Sequence, residues 1–124
     1  MRKRILLVDD TVTVTAMERI ILGDTYDYSE ARNGQEACSR ALADPPDLIL
    51  MDLNMPVMDG VAGLRALKAE PRTAHIPVVI ISTRSESHAV DACRALGCAG
   101  FVTKPIDRAL LRATIKQLLS GGEA

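Results

Sequence analysis

The sequence predicts an α/β fold in which a five-stranded parallel sheet carries helices on both faces. Five strand-length segments alternate along the chain with segments whose apolar residues recur at helical spacing. The clearest strand segments are apolar without polar alternation, which is typical of strands covered on both sides. Strands alternating with helices favour a parallel sheet with right-handed crossovers.

The clear strand candidates are residues 5–8, 48–51, 78–81 and 100–102, and residues 26–31 form a weaker fifth. A last helix is expected from Asp107 towards Leu119. Four further helices are predicted from apolar residues at helical spacing, namely Val14, Met17, Ile20 and Ile21, then Ala37, Ala41 and Leu42, then Val61, Leu64 and Leu67, then Val90, Cys93 and Leu96.

Residues 11–15 alternate Thr and Val, a β-branched pattern typical of a strand. Apolar spacing of period 3.6 nevertheless continues from Val14 to Gly23, and a glycine suits a helix end. We therefore predict a helix here, with Asp10 or Thr11 as the residue that caps its start.

Length and composition indicate one domain over residues 1–124. The chain has 48% apolar and 25% charged residues, which is typical of a protein with a packed core. A net charge of -1, with no long basic run, disfavours binding to nucleic acid or anionic lipid. The apolar runs are far shorter than a membrane span, and no signal peptide is evident, so a cytoplasmic protein without membrane insertion is expected.

Polar residues follow the predicted strands at the edge where ligands bind in open parallel sheets. Asp9 and Asp10 close the first strand, Asp52 the third, Ser82 and Thr83 the fourth, and Lys104 follows the fifth. Converging carboxylates repel one another unless a cation neutralises them, and all-oxygen ligands favour a hard divalent ion. The sequence predicts Mg²⁺, with Mn²⁺ as a substitute.

Each of these residues alone has an ordinary structural explanation. An Asp pair before a helix is usually a cap, Asp59-Gly60 a turn or helix start, and Lys104 a solvated charge. His75 and His88 are expected at the surface, and the three cysteines, which lack metal-site spacing, as small packing residues. Only the joint position of the polar residues at one sheet edge indicates a site.

The chain resembles the receiver domain of two-component response regulators, and in particular the single-domain chemotaxis type. The resemblance spans nearly the whole sequence. It is carried by residues 5–10 (ILLVDD), 52–60 (DLNMPVMDG), 77–82 (PVVIIS) and 101–105 (FVTKP). It implies a flavodoxin-like fold with strand order 2-1-3-4-5.

The resemblance also implies a role for each site residue. Asp52 would accept a phosphoryl group from a phosphohistidine of a histidine kinase or phosphotransfer protein. Mg²⁺ would be bound by Asp10, Asp52 and the backbone carbonyl of Asn54, with Asp9 assisting through water. Lys104 would pair with the phosphoryl oxygens, and the Ser82 hydroxyl and the Thr83 backbone N–H would hydrogen-bond to them.

A switch is implied as well. Phosphorylation would draw Ser82 inward and let Phe101 turn into the space behind it, which would change the surface of the fourth helix, fifth strand and fifth helix for a downstream protein target. The Lys104-Pro105 bond is expected to be cis. Thr83 stands where the family usually has alanine and would crowd the pocket. The candidate surface residues are Arg84, His88, Ala92, Thr103 and Arg108.

Other kinds of site fit these residues less well. A haloacid-type phosphatase is disfavoured because Asn54 replaces its second catalytic aspartate. A calcium loop is disfavoured by Pro56, and a flavin site by the absence of glycine in residues 11–15. A pseudo-receiver that binds a partner without phosphorylation stays open because of Thr83. Because residues 120–124 lead into no effector domain, the chain is expected to act either alone on a partner protein or as the receiver module of a longer regulator. A monomer is expected, with dimerisation on phosphorylation left open.

Overall fold

The computed structural model describes residues 2–53, 55, 58–83 and 87–121. Strands and helices alternate along the chain. The elements are β1 Arg4–Val8, α1 Val12–Leu22, β2 Asp27–Ala31, α2 Gly34–Ala43, β3 Leu48–Asp52, α3 Gly60–Ala69, β4 Val78–Ser82, α4 Ser87–Ala95, β5 Gly100–Thr103 and α5 Arg108–Gly121.

The five strands form a parallel sheet of order β2-β1-β3-β4-β5, which confirms the expected fold class and strand order. The strand order reverses between β1 and β3, which are neighbours in the sheet. Val8 is paired with Met51 at the carboxyl ends of these two strands. This reversal is the place where ligands bind in open α/β sheets.

Alternate residues of the central strands face two separate apolar cores. Leu6, Ile49 and Ile80 belong to the core on one face, together with buried residues of α2, α3 and α4. Leu7 and Leu50 belong to the other, together with buried residues of α1 and α5. The central strands β1, β3 and β4 are buried on both faces because helices cover both, and their apolar runs are the sequence signature of that burial.

Helix α1 exists where it was predicted, and it ends at Gly23, whose φ is +87°. Its buried residues are Thr15, Glu18, Ile21 and Leu22. The expected apolar face was therefore partly wrong, because Met17 and Ile20 are 38% and 76% exposed.

The expected cap of α1 was also wrong in its chemistry. Thr11 occupies the capping position but its side chain accepts no hydrogen bond from the helix. Instead, Asp9 Oδ1 accepts hydrogen bonds from the Thr11 backbone N–H at 2.9 Å and from the Thr11 hydroxyl at 3.0 Å. The turn before α1 thus fixes the Asp9 carboxylate.

Helix α3 begins close against the end of β3. Asp59 caps it by accepting a hydrogen bond from Ala62 N at 2.9 Å. Gly60 N donates to Leu53 O at 3.0 Å, and a Cβ at Gly60 would lie 2.5 Å from Asp52 O. Only glycine permits this approach, which holds the backbone that follows Asp52 in place.

The remaining expectations concern single residues and the membrane. Both histidines are exposed, Cys93 is buried, and Cys38 and Cys98 are half-buried. Across the described ranges, no helix combines the length and the apolar character that a bilayer span requires.

Candidate functional site

Three carboxylates meet at the carboxyl ends of β1 and β3. One oxygen from each of Asp9, Asp10 and Asp52 lies within 4.8 Å of the others. Asp9 and Asp52 are only 2% and 4% exposed, whereas Asp10 is exposed. Oxygens bound to one Mg²⁺ lie at most about 4.2 Å apart, so a small side-chain rotation would let all three reach one ion. This donor set therefore fits a hard divalent cation.

Lys104, in the loop after β5, reaches one of these carboxylates, that of Asp52. Its Nζ lies 3.1 Å from Asp52 Oδ1. The Asp52 side chain is 5% exposed and that of Lys104 is 32% exposed, so the pair is partly shielded from water. The ammonium offsets part of the repulsion among the carboxylates. The peptide bond between Lys104 and Pro105 is cis.

Ser82 and Thr83 lie at the end of β4, beside a cavity of about 190 Å³ that Phe101 of β5 also lines. Ser82 is fully buried, and its Oγ has no hydrogen-bond partner among the residues that the structure describes. Thr83 and Phe101 are half-buried. The Arg94 guanidinium carbon of α4 lies 4.3 Å from the centre of the Phe101 ring, in a cation–π contact.

Helix α1 contributes a buried acid that the sequence did not identify as part of the site. Glu18 is 2% exposed, and its Oε1 has no hydrogen-bond partner within the described part of the chain. Burial, followed by the negative charges of Asp9 and Asp52, raises the pKa of Glu18 to about 8. The acid is therefore mostly protonated at neutral pH.

Comparisons with known proteins show which family the chain belongs to. The sequence profile of the response regulator receiver domain matches residues 5–116. The chain belongs to the response regulator receiver domain family. The response regulator PleD of Caulobacter vibrioides is 40% identical over 121 residues, which are 95% of this chain and 26% of PleD. Protein PilH of Pseudomonas aeruginosa is 31% identical over 119 residues, which are 95% of this chain and 98% of PilH.

Solved receiver structures share the fold. The chemotaxis response regulator CheY4 of Vibrio cholerae superimposes with a TM-score of 0.86 at 27% identity, over 95% of this chain and 99% of that one. This chain thus spans about a quarter of PleD but nearly the whole of PilH and CheY4. It is a receiver domain of two-component signalling, and receiver domains of response regulators interact with histidine kinases and downstream targets.

The structure brings most of the sequence-predicted site residues of this receiver domain to one sheet edge, whereas two lie outside the described residues. These two are Asn54, expected to offer a backbone carbonyl to the cation, and Arg84, expected on the partner surface. The other candidates for that surface are exposed or half-exposed, namely His88, Ala92, Thr103 and Arg108.

The sequence alone did not indicate Glu18, Arg94 or Arg32 as residues near the receiver site. Arg32 lies there because its Nη1 is 3.2 Å from the carbonyl oxygen of Asp9. Glu18 lies three residues after Thr15 and three before Ile21, on the buried face of α1, but this spacing identifies the face only once Thr15 is known to be buried. Arg32 carried no such signal, because its contacts with Asp9 and Thr11 join segments that are distant in sequence. Arg94 carried none because helical periodicity does not encode its cation–π contact with Phe101 of the following strand.

Proposed function

We propose that this chain accepts a phosphoryl group on Asp52 from a phosphohistidine of a histidine kinase or phosphotransfer protein, in a reaction that depends on Mg²⁺. The observation that carries this proposal is the contact of 3.1 Å between Lys104 and a buried Asp52, beside Asp9 and Asp10. A nucleophilic carboxylate next to a lysine ammonium and to further carboxylates suits phosphoryl transfer.

In the proposed step, a carboxylate oxygen of Asp52 attacks the phosphorus atom of the phosphohistidine. The nitrogen–phosphorus bond breaks, its electron pair stays on the imidazole nitrogen, and an acyl phosphate forms on Asp52. Little other covalent chemistry is needed, so the protein contributes mainly position and charge.

The cation would be held by Asp9, Asp10 and Asp52, with the Asn54 carbonyl as the remaining protein ligand. When bound, Mg²⁺ neutralises negative charge on the transferring phosphoryl group, and Mn²⁺ would serve in its place. The support from this chain is the set of three carboxylates within 4.8 Å. Asp9, fixed by Thr11, is suited to an indirect role through water.

Residues on the other side of Asp52 would receive the phosphoryl oxygens. Lys104 already contacts Asp52 Oδ1, so its ammonium lies next to the position where those oxygens would arrive. The buried Ser82 hydroxyl, unsatisfied by any described residue, has capacity to donate a hydrogen bond to one of them. The Thr83 backbone N–H would donate another.

A switch would follow from phosphorylation. The new charge would draw Ser82 inward, and Phe101 would turn into the cavity of about 190 Å³ that it lines together with Ser82 and Thr83. The altered surface of α4, β5 and α5 would then bind or release a downstream protein target, such as one in chemotaxis.

The cellular setting is also part of the proposal. We place the domain in the cytoplasm, without direct nucleic-acid binding or membrane insertion. It would span residues 1–124 and act as a monomer, or as a dimer once phosphorylated. The relatives include both stand-alone receivers and longer regulators, since this chain covers 98% of PilH but 26% of PleD. It would act alone or as a module of a longer regulator.

The test is phosphoryl uptake from acetyl phosphate with Mg²⁺, followed by intact-mass measurement. The wild type should gain one phosphoryl group, and Asp52→Asn or an excess of chelator should abolish the gain. Asp47→Asn is a matched control, because Asp47 is an exposed aspartate directly before the start of β3, at the other end of the strand from Asp52. It should label like the wild type. If the wild type binds Mg²⁺ but takes up no phosphoryl group, a phosphorylation-independent pseudo-receiver becomes the better explanation.

A further inference from the structure

We infer that Arg32 is a positioning residue for divalent-cation binding, because its guanidinium clamps the turn that carries Asp9 and Asp10. Arg32 follows β2, the strand beside β1 in the sheet. The inference rests on the proposed function, in which these aspartates hold the cation. It assigns a role in that function to a residue outside the acidic cluster.

The clamp consists of contacts to the backbone of the turn. Arg32 Nη1 lies 3.2 Å from the carbonyl oxygen of Asp9 and 3.4 Å from that of Thr11. These two carbonyls flank Asp10. The Asp9 backbone N–H is also bound to Ala31 O at 3.1 Å, so the turn is tied to the end of β2 by both main chain and side chain.

The guanidinium is itself held from the opposite side. Its Nη2 pairs with Glu30, and its Nη1 donates to Thr15 Oγ1 at 3.2 Å. Thr15 Oγ1 in turn donates to Glu30 Oε1 at 3.0 Å, and Arg19 donates to Glu30 Oε2 at 2.5 Å. The Arg32 side chain is 33% exposed and that of Glu30 is 23% exposed, so water only partly screens the network. A guanidinium with this many partners has little freedom to rotate.

The network also keeps Glu30 charged. Burial by itself would raise the pKa of Glu30, but hydrogen bonds from Thr15 and Arg19 and the contacts with Arg19 and Arg32 together lower it below its usual value. Glu30 therefore remains an anion that holds the guanidinium at neutral pH, and the clamp needs no change of protonation.

The clamp bears on cation binding through the geometry of the turn. Mg²⁺ requires near-octahedral ligands at closely defined distances, so a small displacement of Asp9 or Asp10 lowers affinity. Groups that orient metal ligands without touching the metal typically change its affinity by roughly 10- to 100-fold when removed. Because Arg32 acts on the backbone beside the ligands, we expect an effect of about tenfold.

The change in charge on removing Arg32 has the opposite effect on cation binding, so it must be separated from the loss of the clamp. Removing Arg32 alone also removes a positive charge near the acidic cluster, which by itself would strengthen cation binding. The double variant Arg32→Met/Glu30→Gln removes the clamp while keeping the net charge of the wild type. Arg19→Met is the control for the network, because Arg19 also pairs with Glu30 but has no hydrogen bond to the turn among those found in the described residues. The positive charge that it removes acts towards tighter cation binding, opposite to the effect under test.

The experiment measures the Kd for Mg²⁺ by titration calorimetry, and thermal unfolding is recorded in parallel. The double variant should bind Mg²⁺ about tenfold more weakly than the wild type, whereas Arg19→Met should change the Kd less than twofold. Arg32→Lys, which keeps the charge but loses the planar fork, should lie between wild type and double variant and serves if the double variant does not fold.

Two results would overturn the inference. One is a double variant with a lowered unfolding temperature and an unchanged Kd, since Arg32 would then be only structural. The other is an equal weakening by Arg19→Met. A wild type that binds no Mg²⁺ would instead remove the cation site of the proposed function, and the inference with it.

Discussion

Replacing Glu18 by Gln should remove most of the pH dependence of folding stability between pH 5 and pH 8. Glu18 lies in α1 with a pKa raised from 4.5 to about 8, first by burial and then by repulsion from Asp9 and Asp52. The unfolded chain releases this proton near its ordinary pKa, whereas the folded protein retains it up to about pH 8. The contribution of Glu18 to stability is therefore largest below pH 4.5, falls as pH rises, and levels off above the folded pKa.

The size of this effect follows from the two pKa values. Each pKa unit is worth about 1.36 kcal/mol, so the difference between 4.5 and about 8 corresponds to at most about 5 kcal/mol. Local relaxation around the carboxylate reduces this number, and a loss of about 2 to 4 kcal/mol between pH 5 and pH 8 is the expected range. That is a large fraction of the stability of an ordinary domain.

The assay is urea unfolding followed by far-ultraviolet circular dichroism at several pH values, with EDTA present so that no divalent cation neutralises the acidic cluster. Glu18→Gln should match the wild type within about 1 kcal/mol at pH 5 and exceed it by about 2 to 4 kcal/mol at pH 8. Glu36→Gln is the matched control. Glu36 is a half-exposed acid of α2, and its removal should leave the pH profile parallel to that of the wild type.

Equal slopes for wild type and Glu18→Gln would refute the reasoning, because they would mean that Glu18 ionises normally in the folded protein. A stabilisation of the same size at pH 5 and pH 8 would refute it as well. Such a result would assign the effect to packing rather than to the charge.

Three further predictions concern the region around Asp52. Arg94→Met should raise the rate of acetyl phosphate labelling about two- to fivefold. The reason is that the cation–π contact, worth about 0.5 to 1 kcal/mol, no longer holds Phe101 in place. An unchanged labelling rate would contradict this prediction. Thr83→Ala should also speed labelling by clearing space beside Ser82, and slower labelling would count against crowding. Gly60→Ala should lower the free energy of unfolding by about 1 to 3 kcal/mol, measured by urea unfolding, because its Cβ would lie 2.5 Å from Asp52 O.

The fold could be predicted from the sequence because the residues of the central strands show directly that both faces of the sheet are buried. Runs such as Leu48 to Met51 are apolar at every position, and only a sheet covered on both faces buries them. The common edge of Asp9, Asp52 and Lys104 followed from the same reasoning, since the carboxyl ends of parallel strands lie together.

The inner face of α1 could not be predicted in the same way. The apolar residues Met17 and Ile20 suggested one face, yet Thr15 and Glu18 are the buried ones. Burial of Thr15 is favoured by its hydrogen bond to Glu30 of β2, a contact between distant segments that helical periodicity does not encode. Periodicity indicates that a helix has an apolar face, but polar contacts with neighbouring elements can change which face is buried.

The most direct test of the central claim is to locate the phosphoryl group after labelling with acetyl phosphate and Mg²⁺. Borohydride reduces an acyl phosphate on aspartate to homoserine, and peptide mapping by mass spectrometry then identifies the modified residue. The account predicts homoserine at position 52 and at no other aspartate, with none in Asp52→Asn. Modification at Asp9 or Asp10 in place of Asp52, or a stable phosphoryl group that borohydride does not remove, would contradict it.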